Sequence, residues 1–81
     1  MKYESILSQL CEELLILTKG RTTVGENTEL VGDLALDSLQ VMDLLLLMED
    51  RFDISIPVSI LPDVKTVRDL AIQVEKLVSN S

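Results

Sequence analysis

Residues 37–57 read DSLQVMDLLLLMEDRFDISIP, and this stretch predicts a helix from about Ser38 to Arg51. A side-chain oxygen of Asp37 or Ser38 can cap the helix, because it satisfies a free N–H of the first turn. Pro57 ends the stretch and pushes the residue before it out of the helical region. One broad face of the helix is apolar and should meet the core; it consists of Val41, Leu44, Leu45, Met48 and Phe52.

A second apolar stripe lies roughly 120° around the same helix, and it is formed by Leu39, Met42 and Leu46. A helix on the surface of a small bundle needs one apolar stripe, not two. Either this helix is central and surrounded, or the second stripe is exposed for a partner. Because no helix is fully surrounded in so small a domain, the sequence favours the partner surface.

The segment before this helix predicts another helix and a long loop. Apolar residues recur at three- and four-residue steps from about Tyr3 to Thr18, with no Gly or Pro between them. Cys11 should be a small apolar residue of the core. Residues 19–36 form a connection whose length is uncommon in a compact domain and often functional. Four apolar side chains should fix this loop to the bundle: Val24, Leu30, Leu34 and Leu36.

The segment after Pro57 predicts a short helix and a last long one. Residues 58–61 can form one helical turn that Pro62 stops. Thr66 and Asp69 have the spacing of a capping box, so the last helix should start at Thr66. Residues 79–81 should fray. The predicted fold is therefore all-α: a small bundle of three main helices, one short helix and a long first loop.

Composition excludes several classes of function. The 81 residues make one expected domain, 1–81, in which 47% hydrophobic residues exclude a disordered tail. A net charge of -7 argues against nucleic-acid binding, which needs Lys and Arg. With no His and one Cys, the chain offers no histidine-assisted nucleophile, no His-ligated zinc site and no multi-Cys metal site, and we expect no metal. We expect a cytoplasmic domain, without a transmembrane segment, that does no chemistry with its own side chains.

Ser38 is the candidate functional residue, because it lies where the long loop meets a helix N-terminus. Free N–H groups and the helix dipole favour an anionic group such as phosphate at that position. As a nucleophile Ser38 has no base, and the local pattern alone favours a simple helix cap. If Ser38 carries a function, another protein must modify it.

The triplet Asp37-Ser38-Leu39 resembles the Asp-Ser-Leu motif of acyl carrier proteins. The resemblance implies that a phosphopantetheinyl transferase esterifies Ser38 with 4'-phosphopantetheine from coenzyme A. The arm ends in a thiol, which carries acyl groups as thioesters and accounts for the absence of catalytic groups. The similarity extends over nearly the whole chain, through Leu30, Asp33-Leu34, Asp43-Leu44, Met48-Glu49, Phe52-Asp53, Ile56-Pro57 and residues 66–70.

Several positions depart from the pattern of that family. Ala35 stands where a glycine is common, so the loop is expected to follow a somewhat different path. Gln40, Val41 and Arg51 stand where acidic or polar residues are frequent. Residues 58–62 are apolar where fatty-acid carriers are typically acidic. These departures suggest a dedicated, free-standing carrier that serves one lipid, polyketide or peptide-type assembly system.

The resemblance also predicts partners and cargo. The transferase and the enzymes that load and process acyl groups should bind a monomer at Met42, Asp43, Leu46 and Glu49. An acyl chain could fold back between the second helix and the short one. The expected lining is Leu45, Leu47, Met48, Ile54, Ile60 and Leu61. Two alternatives stay open: an aminoacyl carrier (D-alanyl or peptidyl), and an interaction module in which Ser38 is only a cap.

Overall fold

The computed structural model describes residues 2–20 and 23–79 and confirms the all-α class. Three α-helices, α1 (Tyr3–Leu17), α2 (Ser38–Phe52) and α3 (Val67–Ser79), are joined by the long loop and a short 3₁₀ helix, Val58–Asp63. Across the described residues there is no strand, only an isolated antiparallel bridge. The sequence predicts a frayed end at residues 79–81; Ser79 is instead the last residue of α3, and residues 80 and 81 lie outside the described residues.

One apolar core joins the three helices and the loop. The described residues include no buried polar or charged side chain, so the interior is held by close packing of aliphatic groups. The core face predicted for α2 points inward, with Phe52 half-buried, and α1 and α3 each turn an apolar face to the same core. The buried side chains are Ile6, Leu10, Leu14, Leu30, Leu34, Leu36, Val41, Leu44, Leu45, Met48, Ile56, Val67, Leu70, Ala71 and Val74.

The long loop is fixed to the bundle as the sequence predicts. Leu30, Leu34 and Leu36 are buried, while Val24 is half-buried against the same core. Cys11 is also half-buried against it, and burial raises the pKa of its thiol. The apolar residues of the loop therefore compensate for its lack of regular structure.

The capping box of α3 is confirmed. The Thr66 N–H donates to Asp69 Oδ2 at 3.1 Å, and the Asp69 N–H donates to Thr66 Oγ1 at 3.2 Å. The N–H groups of Thr66 and then Lys65 lower the pKa of Asp69, because they stabilise its charged form. This exchange fixes the residue at which α3 begins.

The prediction that Pro62 stops the short helix is wrong. The 3₁₀ helix extends to Asp63 with Pro62 inside it. Its hydrogen bonds run from the Ile60 N–H to the Pro57 carbonyl and from the Val64 N–H to the Leu61 carbonyl. Pro62 is the second residue of the Leu61–Val64 turn, where its missing N–H is not needed and its fixed φ fits.

Ala35 has a φ of 55°, in the left-handed region that glycine adopts without strain. An L-residue with a Cβ atom loses roughly 1–2 kcal/mol in this conformation. The absence of a glycine therefore adds local strain to the loop just before α2.

Ala35→Gly is expected to stabilise the chain. Relief of the left-handed strain exceeds the added freedom of the unfolded chain, leaving a net gain of about 0.5–1 kcal/mol. Urea unfolding measures this change. The control is Ala71→Gly within α3, where glycine should instead destabilise. A loss of stability in both variants would contradict the strain at Ala35.

A hydrogen bond between α1 and the loop should make stability depend on pH. The Tyr3 hydroxyl donates to Glu26 Oε2 at 2.7 Å. This bond is the main cause that lowers the pKa of Glu26, with Arg68 helping, whereas burial and then the same bond raise the pKa of Tyr3. The Glu26 contribution is thus present at neutral pH and is lost as pH falls through its folded pKa. The Tyr3 contribution is lost as pH rises above about 10.

Urea unfolding of the wild type and Tyr3→Phe across pH tests this expectation. The difference in stability should be largest near neutral pH and should shrink in acid, where Glu26 is protonated in both proteins. Asp69 also loses its contribution in acid, but it does so equally in both proteins and cancels. A difference that stays constant from pH 3 to pH 7 would contradict a bond to the carboxylate.

Candidate functional site

Ser38 is the first residue of α2, and Asp37 before it is the cap. The Gln40 N–H donates to Asp37 Oδ1 at 2.8 Å, and the Asp37 N–H donates to Gln40 Oε1 at 3.1 Å. Of the two candidate caps, the structure therefore selects Asp37. The alternative in which Ser38 serves only as the cap is wrong, because a neighbouring side chain does that work.

The surroundings of Ser38 suit a phosphate group. Its side chain is exposed, and the first turn of α2 contains no acidic residue. Within the described residues, the N–H groups of Ser38 and Leu39 have no hydrogen-bond partner. Unpaired N–H groups at a helix N-terminus, together with the helix dipole, stabilise an anion.

An apolar cleft of about 260 Å³ opens beside Ser38, between the loop and the short 3₁₀ helix. A second depression of about 380 Å³ shares Val31, Pro62 and Val64 with it and extends towards Glu29 and Lys65. The two depressions are adjacent, and Ser38 borders the first of them but not the second. The walls of the cleft are Leu30, Val31, Val41, Leu61, Pro62 and Val64.

The six residues predicted to line a site for an acyl chain lie in different surroundings here, and their contact with cargo stays a prediction. Leu45 and Met48 are buried on the inward face of α2, and Leu45 also borders the small depression next to Ile56 and Val58. Leu47 is on the opposite, exposed face, and Ile54 borders a separate depression near Leu77. Ile60 packs against the core, so Leu61 alone of the six predicted residues borders the cleft beside Ser38.

The second stripe of α2 is exposed rather than buried. Leu39 is 69% exposed, Leu46 60% and Met42 40%. Val58 of the 3₁₀ helix is exposed as well, and it borders a small depression together with Met42 and Leu46. The geometry needed for a partner surface is therefore present, while its use by a partner stays a prediction.

The two acidic side chains near this stripe differ in their hydrogen bonding. Asp43 is exposed and has no partner among residues 2–20 and 23–79. Glu49 instead accepts a hydrogen bond from the Ile56 N–H at 3.0 Å. Glu49 thus ties the chain after α2 back onto the helix, a role that the sequence pattern did not reveal.

The unusual residues of α2 have partners inside the chain. Gln40 completes the capping box, and Val41 is buried in the core. Arg51 forms an ion pair with Glu13 of α1, with 3.1 Å between Nη2 and Oε1. These three departures from the family pattern therefore stabilise the fold.

The described parts of the chain contain no group of three or more His, Cys, Asp or Glu side chains that could hold a metal ion. None of the described helices is both long and apolar enough to cross a bilayer.

Comparisons with known proteins agree with one another. A family model described as "Phosphopantetheine attachment site" matches residues 4–74. An acyl carrier protein of Helicobacter hepaticus is 30% identical over 73 residues, covering 90% of this chain and 92% of that protein. A probable acyl carrier protein of Caulobacter vibrioides is 51% identical over 39 residues, which is 48% of this chain and less than half, 45%, of that protein.

A solved structure has the same fold. The crystal structure of an acyl carrier protein from Thermotoga maritima superposes with a TM-score of 0.79 and 26% sequence identity. The match covers 99% of this chain and 94% of that chain, so it includes the long loop and the short helix as well as the three main helices.

Proposed function

This chain belongs to the acyl carrier protein family, whose cofactor is 4'-phosphopantetheine, and we propose that the cofactor is attached to the Ser38 hydroxyl. Members of the family are carriers and not enzymes, which fits a chain without histidine. The observation that carries the proposal is the position of Ser38. It is exposed at the start of α2, freed from capping by Asp37, and next to an apolar cleft.

The residues around Ser38 fit the cofactor. The unpaired N–H groups of Ser38 and Leu39 can stabilise its phosphate, while the adjacent Asp37 carboxylate is turned towards the Gln40 N–H. The cleft walls can contact the apolar parts of the arm. When bound, the cofactor supplies the terminal thiol that carries the acyl group. Asp37 and Leu39 complete the motif, Asp37 by fixing the helix start from which the serine projects.

We propose acyl intermediates of fatty acid, lipid or polyketide synthesis as the cargo. The apolar cleft supports this proposal, since its six apolar walls suit a hydrocarbon group better than a charged amino acid. A cytoplasmic location and a single domain over residues 1–81 belong to the same proposal. The continuous core supports the single domain.

The partners are proposed to be the phosphopantetheinyl transferase and the enzymes that load and process acyl groups. Exposed Leu39, Met42 and Leu46 offer them an apolar stripe beside the serine. Asp43 is free to attract basic partner surfaces, whereas Glu49 can offer only the oxygen that is not bonded to Ile56. A monomer suits this arrangement, because a second copy would bring another net charge of -7 to the interface.

Co-expression with a broad-specificity phosphopantetheinyl transferase tests the attachment. Intact mass measurement should show the addition of one phosphopantetheine, and an unchanged mass would overturn the proposal. The modified protein is then offered to an acyl-activating enzyme and to an amino-acid-activating enzyme. A mass increase of one acyl group supports the proposed cargo, whereas loading of an amino acid alone would replace it with the aminoacyl alternative.

A further inference from the structure

The middle of the long loop, residues 25–30, forms a compact segment that we call the strap. The Gly25 N–H donates to Thr28 Oγ1 at 2.8 Å, and the Thr28 N–H donates to the Gly25 carbonyl at 3.2 Å. Leu30 ends the strap and is buried in the core. The strap is thus ordered by its own hydrogen bonds and anchored at one end.

The strap supplies hydrogen-bond partners to the start of α3. The first N–H groups of any helix lack partners within that helix. Here the Val67 N–H donates to the Thr28 carbonyl at 3.0 Å, and the Arg68 N–H donates to the Glu26 carbonyl at 2.9 Å. The strap therefore completes the cap that Thr66 and Asp69 begin.

A third backbone hydrogen bond has its donor in the strap and its acceptor just before α3. The Leu30 N–H donates to the Lys65 carbonyl at 3.0 Å, next to the bridge between Glu29 and Thr66. Three backbone hydrogen bonds thus join the strap to the start of α3. If one segment moves away, both lose partners for their backbone groups.

The Glu26 carboxylate ties this pair of segments to α1. Its Oε2 accepts the hydrogen bond from the Tyr3 hydroxyl, and the same oxygen lies 3.4 Å from Arg68 Nη2. One carboxylate therefore contacts α1 and α3 while its own backbone carbonyl caps α3. Both side chains of the Glu26–Arg68 pair are still 40% or more exposed, so the tie is accessible to water.

We infer that the strap and residues 65–68 form one cooperative unit, which opens as a whole, and that the Glu26 carboxylate stabilises its closed state. Because Leu30 and Val67 are buried in the core, opening must break their packing as well as the three backbone hydrogen bonds. The Glu26–Arg68 pair, by contrast, is exposed to water. The strap continues directly into Val31, which lines the cleft beside Ser38. Opening of the unit would therefore displace one wall of that cleft.

Amide hydrogen exchange of the unmodified protein, followed by NMR, tests the inference. Glu26→Ala should speed exchange at the N–H groups of Leu30, Val67 and Arg68 by a similar factor, about fivefold or more. Tyr3→Phe removes only the hydroxyl and should act on the same three amides. The matched control is Glu12→Ala, which removes an exposed carboxylate of α1 and should leave them unchanged.

Three outcomes would overturn the inference. Faster exchange at Arg68 alone would mean that the end of α3 frays without a cooperative unit. Equal acceleration in the core, for example at Leu44 and Leu70, would mean global destabilisation. Wild-type exchange rates in both Glu26→Ala and Tyr3→Phe would mean that the Glu26 carboxylate does not stabilise the unit. Since the measurement needs no cofactor, its result is independent of whether Ser38 is the attachment site.

Discussion

Ser38→Ala is expected to abolish the mass increase on co-expression with the transferase while leaving the melting temperature almost unchanged. The hydroxyl is the proposed point of attachment, so no other group can replace it. The same hydroxyl caps nothing, because Asp37 makes the capping hydrogen bond to Gln40. A surface substitution that removes neither a helix cap nor a buried contact alters stability by no more than about 0.5 kcal/mol. If Ser38 were the cap, the loss would be about 0.5–2 kcal/mol.

Two matched variants separate the chemistry of this site from its structure. Asp37→Ala removes the cap and should lower stability by about 0.5–2 kcal/mol although the serine remains. Ser59→Ala removes an exposed hydroxyl in the 3₁₀ helix and should still gain the full mass. A mass increase in Ser38→Ala would show that the site has been assigned to the wrong residue.

The sequence contains the information that distinguishes Asp37 from Ser38 as the cap, but it lies three residues further along the chain. Both residues carry an oxygen that can cap a helix, so the residue type alone does not decide. The third residue after Asp37 is Gln40, which completes a capping box, whereas Val41 after Ser38 cannot. Extending the pattern by three residues would therefore have predicted the observed cap.

Other features depend on contacts between distant segments, and local patterns do not contain them. Glu49 bonds to the Ile56 N–H, seven residues away, and Glu26 bonds to Tyr3 across 23 residues. Periodicity predicted the inward face of α2 but not which short segment would lie over it. Leu45 and Met48 are buried here, so cargo would have to displace neighbouring side chains to reach them, and the predicted lining stays a prediction.

The short helix shows the same limit on a smaller scale. A proline usually interrupts an α-helix, and on that basis Pro62 was expected to end the segment. The chain instead forms two successive 3₁₀ turns, in which Pro62 occupies a position that needs no donor. The hydrogen-bond pattern of the helix, rather than the residue alone, decides what a proline does.

Leu44→Ala is expected to lower the stability of the fold, and Leu46→Ala is expected to lower recognition by the transferase, although the two leucines lie two residues apart on α2. Leu44 is fully buried, so its truncation leaves a cavity and should lower stability by about 2–5 kcal/mol. That loss is a large part of the roughly 5–15 kcal/mol that stabilises a typical domain. Leu46 is 60% exposed, and its truncation should change stability by no more than about 0.5 kcal/mol.

The second measurement is the catalytic efficiency of the transferase with each variant as substrate. Leu46→Ala should lower kcat/KM by about tenfold, as expected when a central apolar contact of an interface is lost. Leu44→Ala is compared below its melting temperature, where the folded fraction should still be modified. If Leu46→Ala destabilised the chain as much as Leu44→Ala, the stripe would belong to the core. If Leu46→Ala were stable and modified at the wild-type rate, the transferase would not use the stripe. Only loss of turnover without loss of stability assigns Leu46 to partner recognition.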